Sequence, residues 1–88
     1  RRSSDLYYAL SEEKSDEVTY YRLKDDKSEE LMKLSTEKAF SIASICGQSV
    51  YVTYTNDNGK LCLGVISLDE LNKGVFEPKE LRCFDDEE

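Results

Sequence analysis

Ser28-Glu-Glu-Leu-Met-Lys-Leu-Ser-Thr-Glu-Lys-Ala-Phe-Ser-Ile-Ala-Ser-Ile-Cys46 is the stretch whose reading decides the fold. Ser28 suits the N-cap of a helix, and Glu29 and Glu30 suit the positive end of its dipole. At roughly 100° per residue, Leu31, Met32, Leu34, Ala39, Ile42, Ala43, Ile45 and Cys46 fall within about half the helix circumference. Glu30, Lys33, Glu37, Ser41 and Ser44 take the other side, and Phe40 is the one large apolar residue off the stripe. Gly47 follows where a C′ glycine belongs. The pattern persists for about five turns and predicts a helix over about Ser28 to Cys46. Two other readings compete over residues 36–46. Ser35 or Thr36 could cap a shorter helix after a break. Ala39 to Ile45 could also be a strand, because Phe40 and Ile42 alternate with Ser41, and periodicity alone does not separate the two in so short a run.

The segments on either side read as hairpins. Downstream, Val50, Val52 and Tyr54 alternate with Tyr51, Thr53 and Thr55, the period of a pleated strand. Asn56 to Gly59 is a turn, and Leu61 to Ile66 returns with apolar residues on both faces, as a central strand does. Upstream, Leu6-Tyr-Tyr-Ala-Leu10 and Val18-Thr-Tyr-Tyr-Arg-Leu23 read as strands across a charged loop, with a polar turn from Lys24 to Lys27. Ser67 to Gly74 reads as one or two helical turns, with Ser67 and Glu70 spaced as a capping box. Gly64 in mid-strand marks a bulge or close packing by the helix. Val75-Phe-Glu77 reads as extended, and Pro78 to Leu81 as the start of another helical turn. The polar ends, 1–5 and 85–88, read as frayed tails of a single domain spanning 1–88.

The expected fold class is therefore α+β, a ββαββ arrangement with one antiparallel four-stranded sheet and the long helix across one face. An all-β alternative comes from a weak internal similarity. The two hairpins repeat at an offset of about 42 to 44 residues, within the range of propeller blades. On that alternative the chain is two blades of a β-propeller or repeat protein whose activity lies elsewhere in a longer parent chain.

Charge and composition restrict the function classes. Twelve basic and 19 acidic residues give a net charge of −7. That field repels nucleic-acid backbones and anionic membrane surfaces, so neither is expected as a partner. No apolar run approaches the length of a transmembrane helix. Beginning on Arg1, the chain reads as an excised or processed piece. The chain has no His, which removes the commonest general base and metal ligand together with every Ser-His or Cys-His pair.

The three cysteines, Cys46, Cys62 and Cys83, lack the close spacing of a zinc site. They read as reduced, partly buried thiols, with one disulfide in a secreted chain as the alternative. No Asn is followed two positions on by Ser or Thr, which leans the expected location toward the cytoplasm. Asn56-Asp-Asn-Gly59 resembles a calcium loop only superficially, because that register would put Tyr54 and Val65 at ligand positions. No catalytic residue, metal or cofactor is expected.

The tyrosines remain as candidate site residues. Adjacent Tyr7-Tyr8 and Tyr20-Tyr21 place one ring on each face of a sheet, as do Tyr51 and Tyr54. Tyr8, Tyr20, Tyr21, Tyr51 and Tyr54 are the expected contact residues of an aromatic sheet face. Ordinary cross-strand pairing explains the same residues structurally. The expected function is a non-enzymatic protein-interaction or regulatory module. Its partner would be a protein, one with a basic patch being favoured by the acidic surface.

Overall fold

A computed structural model describes residues 6–84, so the tails expected at 1–5 and 85–88 lie outside the described residues. Seven strands run in chain order: β1 (Leu6–Ser11), β2 (Glu17–Lys24), β3 (Lys27–Ser35), β4 (Phe40–Cys46), β5 (Ser49–Thr55), β6 (Leu61–Ser67) and β7 (Lys79–Cys83). A short helix, α1 (Leu68–Asn72), follows β6. The strands form two antiparallel meanders, a three-stranded sheet β1-β2-β3 and a four-stranded sheet β4-β5-β6-β7.

The expected ββαββ fold with a long helix is overturned. The Ser28–Cys46 segment is β3, one 3-10 turn at Thr36–Lys38, and β4. Two β-bulges explain why it resembles a helix. Tyr20 pairs with Met32 while Tyr21 pairs with Glu30, so Leu31 is an extra residue in β3. Ile42 pairs with Val52 while Ser44 pairs with Tyr51, leaving Ala43 extra in β4. Each bulge slips the period-2 pattern by one residue. Two slipped strands joined by a turn leave the residues from Leu31 to Cys46 named above at spacings of one, two, three and five, which a helical wheel collects into half a circumference. Gly47 sits in the β4–β5 turn instead of capping a helix. The helical turn expected at Pro78 to Leu81 is also corrected, because Lys79 to Cys83 pairs with β6.

The hairpins fold as their patterns indicate. Asn56 organises the β5–β6 turn, its side-chain oxygen accepting from the backbone N–H of Asn58 and Lys60. In α1, Ser67 and Glu70 form the capping box, each side chain bonded to the other residue's backbone N–H. Gly64 faces no helix but does lie at a bulge, since Leu63 pairs with Arg82 and Gly64 with Glu80, leaving Leu81 extra in β7. A Cβ there would lie 2.8 Å from the Tyr54 ring and 3.0 Å from the Lys79 carbonyl, so the tight β5-β6-β7 packing needs its missing side chain.

The two sheets share one core. Tyr20 and Met32 from the first meet Phe40, Val50, Val52 and Ile66 from the second, with Leu71 of α1 closing one end. Three rings stack in sequence, Tyr20 on Phe40 at 4.2 Å between centroids and Phe40 on Phe76 at 4.1 Å, and Tyr54 meets Phe76 edge-on. The faces overlap only in part. Ile45, which pairs with buried Val50, remains 42% exposed.

Gly74 fixes how the end of α1 meets β3. Its φ is +77°, and a Cβ there would lie 2.3 Å from the Leu31 carbonyl oxygen. Gly74→Ala is expected to destabilise the fold by about 2 kcal/mol, through left-handed strain and the backbone clash together. Urea unfolding followed by circular dichroism measures it, and a loss below about 0.5 kcal/mol would contradict this contact.

Candidate functional site

Strand pairing assigns each tyrosine to a face. Val18 and Tyr20 point into the shared core, so Thr19, Tyr21 and Leu23 point outward. Across the β1–β2 ladder, Leu6 pairs with Leu23, Tyr8 with Tyr21 and Leu10 with Thr19. These six residues make an outer face on the first sheet, extended onto β3 by Ser28, Glu30 and Lys33.

At its centre, the rings of Tyr8 and Tyr21 stack with centroids 5.1 Å apart and planes 14° from parallel. The Tyr8 hydroxyl is hydrogen-bonded to that of Ser28 at 2.5 Å, which fixes the ring. Leu6 and Leu10 flank the pair, 60% and 58% exposed. Beside Tyr21 and Leu10 the surface sinks into an open depression of about 410 Å³, rimmed by Glu12, Glu17 and Lys33. An ordinary solvated sheet face alternates to polar residues on its water side. This face instead presents two rings and three leucines.

The other candidate tyrosines are not part of that surface. Tyr20 is 3% exposed, and its hydroxyl is fully engaged inside. It donates to the Phe40 carbonyl and accepts from the Phe40 N–H, each at 2.7 Å. Burial raises its pKa, partly offset by the Phe40 hydrogen bond. Tyr54 turns toward the junction of the sheets, where Leu34, Lys38, Phe76 and Pro78 line a shallow cleft with it. Its pKa is also raised, first by burial and then by the charge of Glu80. Tyr51 belongs to the outer face of the second sheet, in a row with Ser44, Val65 and Lys79. The structure thus brings Tyr8 and Tyr21 together and separates Tyr20, Tyr51 and Tyr54 from them. Alternation alone puts Leu6 and Leu10 on the face of Tyr8 and Leu23 on the face of Tyr21, but joining the two rows into one surface needs the β1–β2 register.

The cysteines depart from the expected reduced state. Cys62 and Cys83 stand opposite each other on β6 and β7 and are joined as a disulfide, while Cys46 is free and exposed. Glu80 approaches the two sulfurs, all three ligand atoms lying within 4.8 Å of one another. Joined sulfurs carry no thiolate charge, so this cluster holds β7 in place and does not offer a metal site while the bond is formed. No helix among the described residues is long and apolar enough to cross a membrane.

Fold and surface together define a class, a two-sheet β-meander domain with an uncovered aromatic face. In comparisons with known proteins, no family model, curated sequence or solved structure matches the chain.

Proposed function

We propose that this chain is a non-enzymatic protein-interaction module that docks a protein partner on the outer face of its first sheet. The stacked Tyr8–Tyr21 pair between exposed Leu6 and Leu10 supports this most directly. Stacked rings held by hydrogen bonds and cross-strand packing lose little entropy on binding, and aromatic side chains are enriched among the residues that carry interface energy. Glu12, Glu17 and Glu30 around the face favour a partner with a basic rim. The Cys62–Cys83 bond supports an oxidising compartment, such as the secretory pathway, in place of the cytoplasm.

Affinity capture with the immobilised chain tests the docking face. Tyr8→Ala and Tyr21→Ala should each weaken capture by about ten-fold, the loss of one well-placed aromatic anchor. Leu10→Glu should weaken it furthest, and Lys73→Ala, at the end of α1 and on neither sheet face, should leave it unchanged. Capture that survives all the first-sheet substitutions removes this face from consideration.

One observation favours a second reading. Tyr7↔Arg22, Tyr8↔Tyr21 and Ala9↔Tyr20 in the first hairpin correspond to Val50↔Ile66, Tyr51↔Val65 and Val52↔Gly64 in the second. The shift is 43 positions on one strand and 44 on the other, with every pairing kept. On this reading the sheets are successive units of a repeat protein whose activity lies elsewhere in a longer chain. An immunoblot of the native source that detects only an 88-residue species would sink it.

A further inference from the structure

We infer that the partner covering the outer face of the first sheet is a second copy of this chain, seated through the outer face of its four-stranded sheet. This rests on the docking face just described and names its occupant.

The second sheet has an outer face of similar character and opposite charge. Tyr51, Thr53, Leu63 and Val65 occupy its centre by register, and Lys79 and Arg82 stand beside Val65 and Leu63. Among the described residues, no carboxylate takes a strand position on that face. The first sheet's outer face is rimmed by three carboxylates, Glu12, Glu17 and Glu30, against one cation, Lys33. In a chain of net charge −7, cations concentrated on one sheet face are a local reversal.

Charge then selects the pairing. Two acidic faces together would oppose carboxylates to carboxylates, and two basic faces would oppose cations to cations. Only acidic on basic gives complementary rims around apolar centres. Docking one sheet on another is also how this chain already covers its first sheet's inner side.

This geometry makes the contact heterologous, since each copy uses two different faces and leaves one of each free at the ends. Three strands about 4.8 Å apart and about six residues long span roughly 300 Å², so both partners together bury about 600 Å². That is below what a stable dimer needs, so the dissociation constant should be on the order of 0.1–1 mM. The expected species are short head-to-tail oligomers that grow with concentration.

Sedimentation of the purified full chain tests this. Its weight-average mass should rise about two-fold or more between roughly 10 μM and 1 mM. Leu10→Glu blocks the acidic face and Arg82→Glu the basic one. Both positions are exposed, so the fold should persist, which far-UV circular dichroism verifies. If Leu10→Glu perturbs the fold, Leu6→Glu replaces it. Each variant alone should remain monomeric, and an equimolar mixture should form heterodimers that stop at two. A wild-type chain that stays monomeric to 1 mM, a variant that still self-associates, or a mixture that does not pair would each overturn the inference. Monomeric wild type with capture still lost in Leu10→Glu overturns only the self-partner, whereas capture unaffected by Leu10→Glu overturns the docking face itself.

Discussion

Replacing Tyr20 by phenylalanine is expected to lower the free energy of unfolding by about 3 kcal/mol, although the change removes a single oxygen. That oxygen joins the two sheets. It donates to the Phe40 carbonyl and accepts from the Phe40 N–H, both at 2.7 Å and both buried. Without it, one backbone donor and one acceptor are left in an apolar core, each costing about 1–3 kcal/mol when unpaired. The ring and its 4.2 Å stack on Phe40 remain, so the effect isolates the hydrogen bonds from the packing. Tyr7→Phe provides the comparison. It removes one half-buried bond, from the Tyr7 hydroxyl to the Asn72 side chain, and should cost about 1 kcal/mol or less. Urea unfolding of the two variants measures both values, and equal losses would refute the special role of Tyr20.

The same hydroxyl gives the fold an alkaline limit. Burial raises the Tyr20 pKa above its usual value near 10, the bond to Phe40 opposing, and Tyr54 shifts the same way through burial and Glu80. A raised tyrosine pKa means that folding favours the neutral form. Its contribution to stability is complete below about pH 10 and is lost as pH rises through the folded-state value. Stability should therefore fall above pH 10, and less steeply in Tyr20→Phe than in the parent. An identical slope in both would show that Tyr20 ionisation does not drive the loss.

Reducing the Cys62–Cys83 bond should be the next largest perturbation. The bond closes a loop with a sequence separation of 21, which includes α1, fully buried Leu71 and the stacked Phe76. Restricting a loop of this length in the unfolded chain contributes about 3 kcal/mol. A chemical reductant, or Cys62→Ser with Cys83→Ser, should lower the urea midpoint by about 1–2 M. Cys46→Ser should leave it unchanged, because Cys46 is exposed and unpaired. An unmoved midpoint on reduction would mean that the β6–β7 ladder alone holds the last strand.

How far the sequence could be read follows from these particulars. The β1–β2 and β5–β6 hairpins, the Asn56 turn and the Ser67 cap were legible because local chemistry determines them. Alternation, side-chain-to-backbone bonds and capping need no knowledge of distant residues. In residues 28–46 the strand reading over Ala39 to Ile45 agrees with β4, but β3 was hidden, because a bulge such as Leu31 or Ala43 is defined only by the strand opposite. Inside one segment, the phase slip of a bulge and the advance of a helix give similar spacings. The candidate surface divides along the same line. Alternation separates Tyr20 from Tyr21, but placing Tyr8 on Tyr21 depends on a register shared across the β1–β2 loop. The cysteine pairing needed β7, which the Pro78 signal disguised as a helical turn.

The partition of the core between the sheets determines how the molecule comes apart. Among the buried side chains of the described residues, the first sheet supplies only Tyr20 and Met32, with Tyr7, Val18, Leu31 and Leu34 partly buried beside them, and all need the second sheet to enclose them. Three strands with two interior residues have no independent reason to stay folded. The meanders, though separate as hydrogen-bonded ladders, therefore form one cooperative unit. Opening at Phe40 exposes both layers at once, and a fluctuation that lifts the first sheet also removes the support for its aromatic outer face.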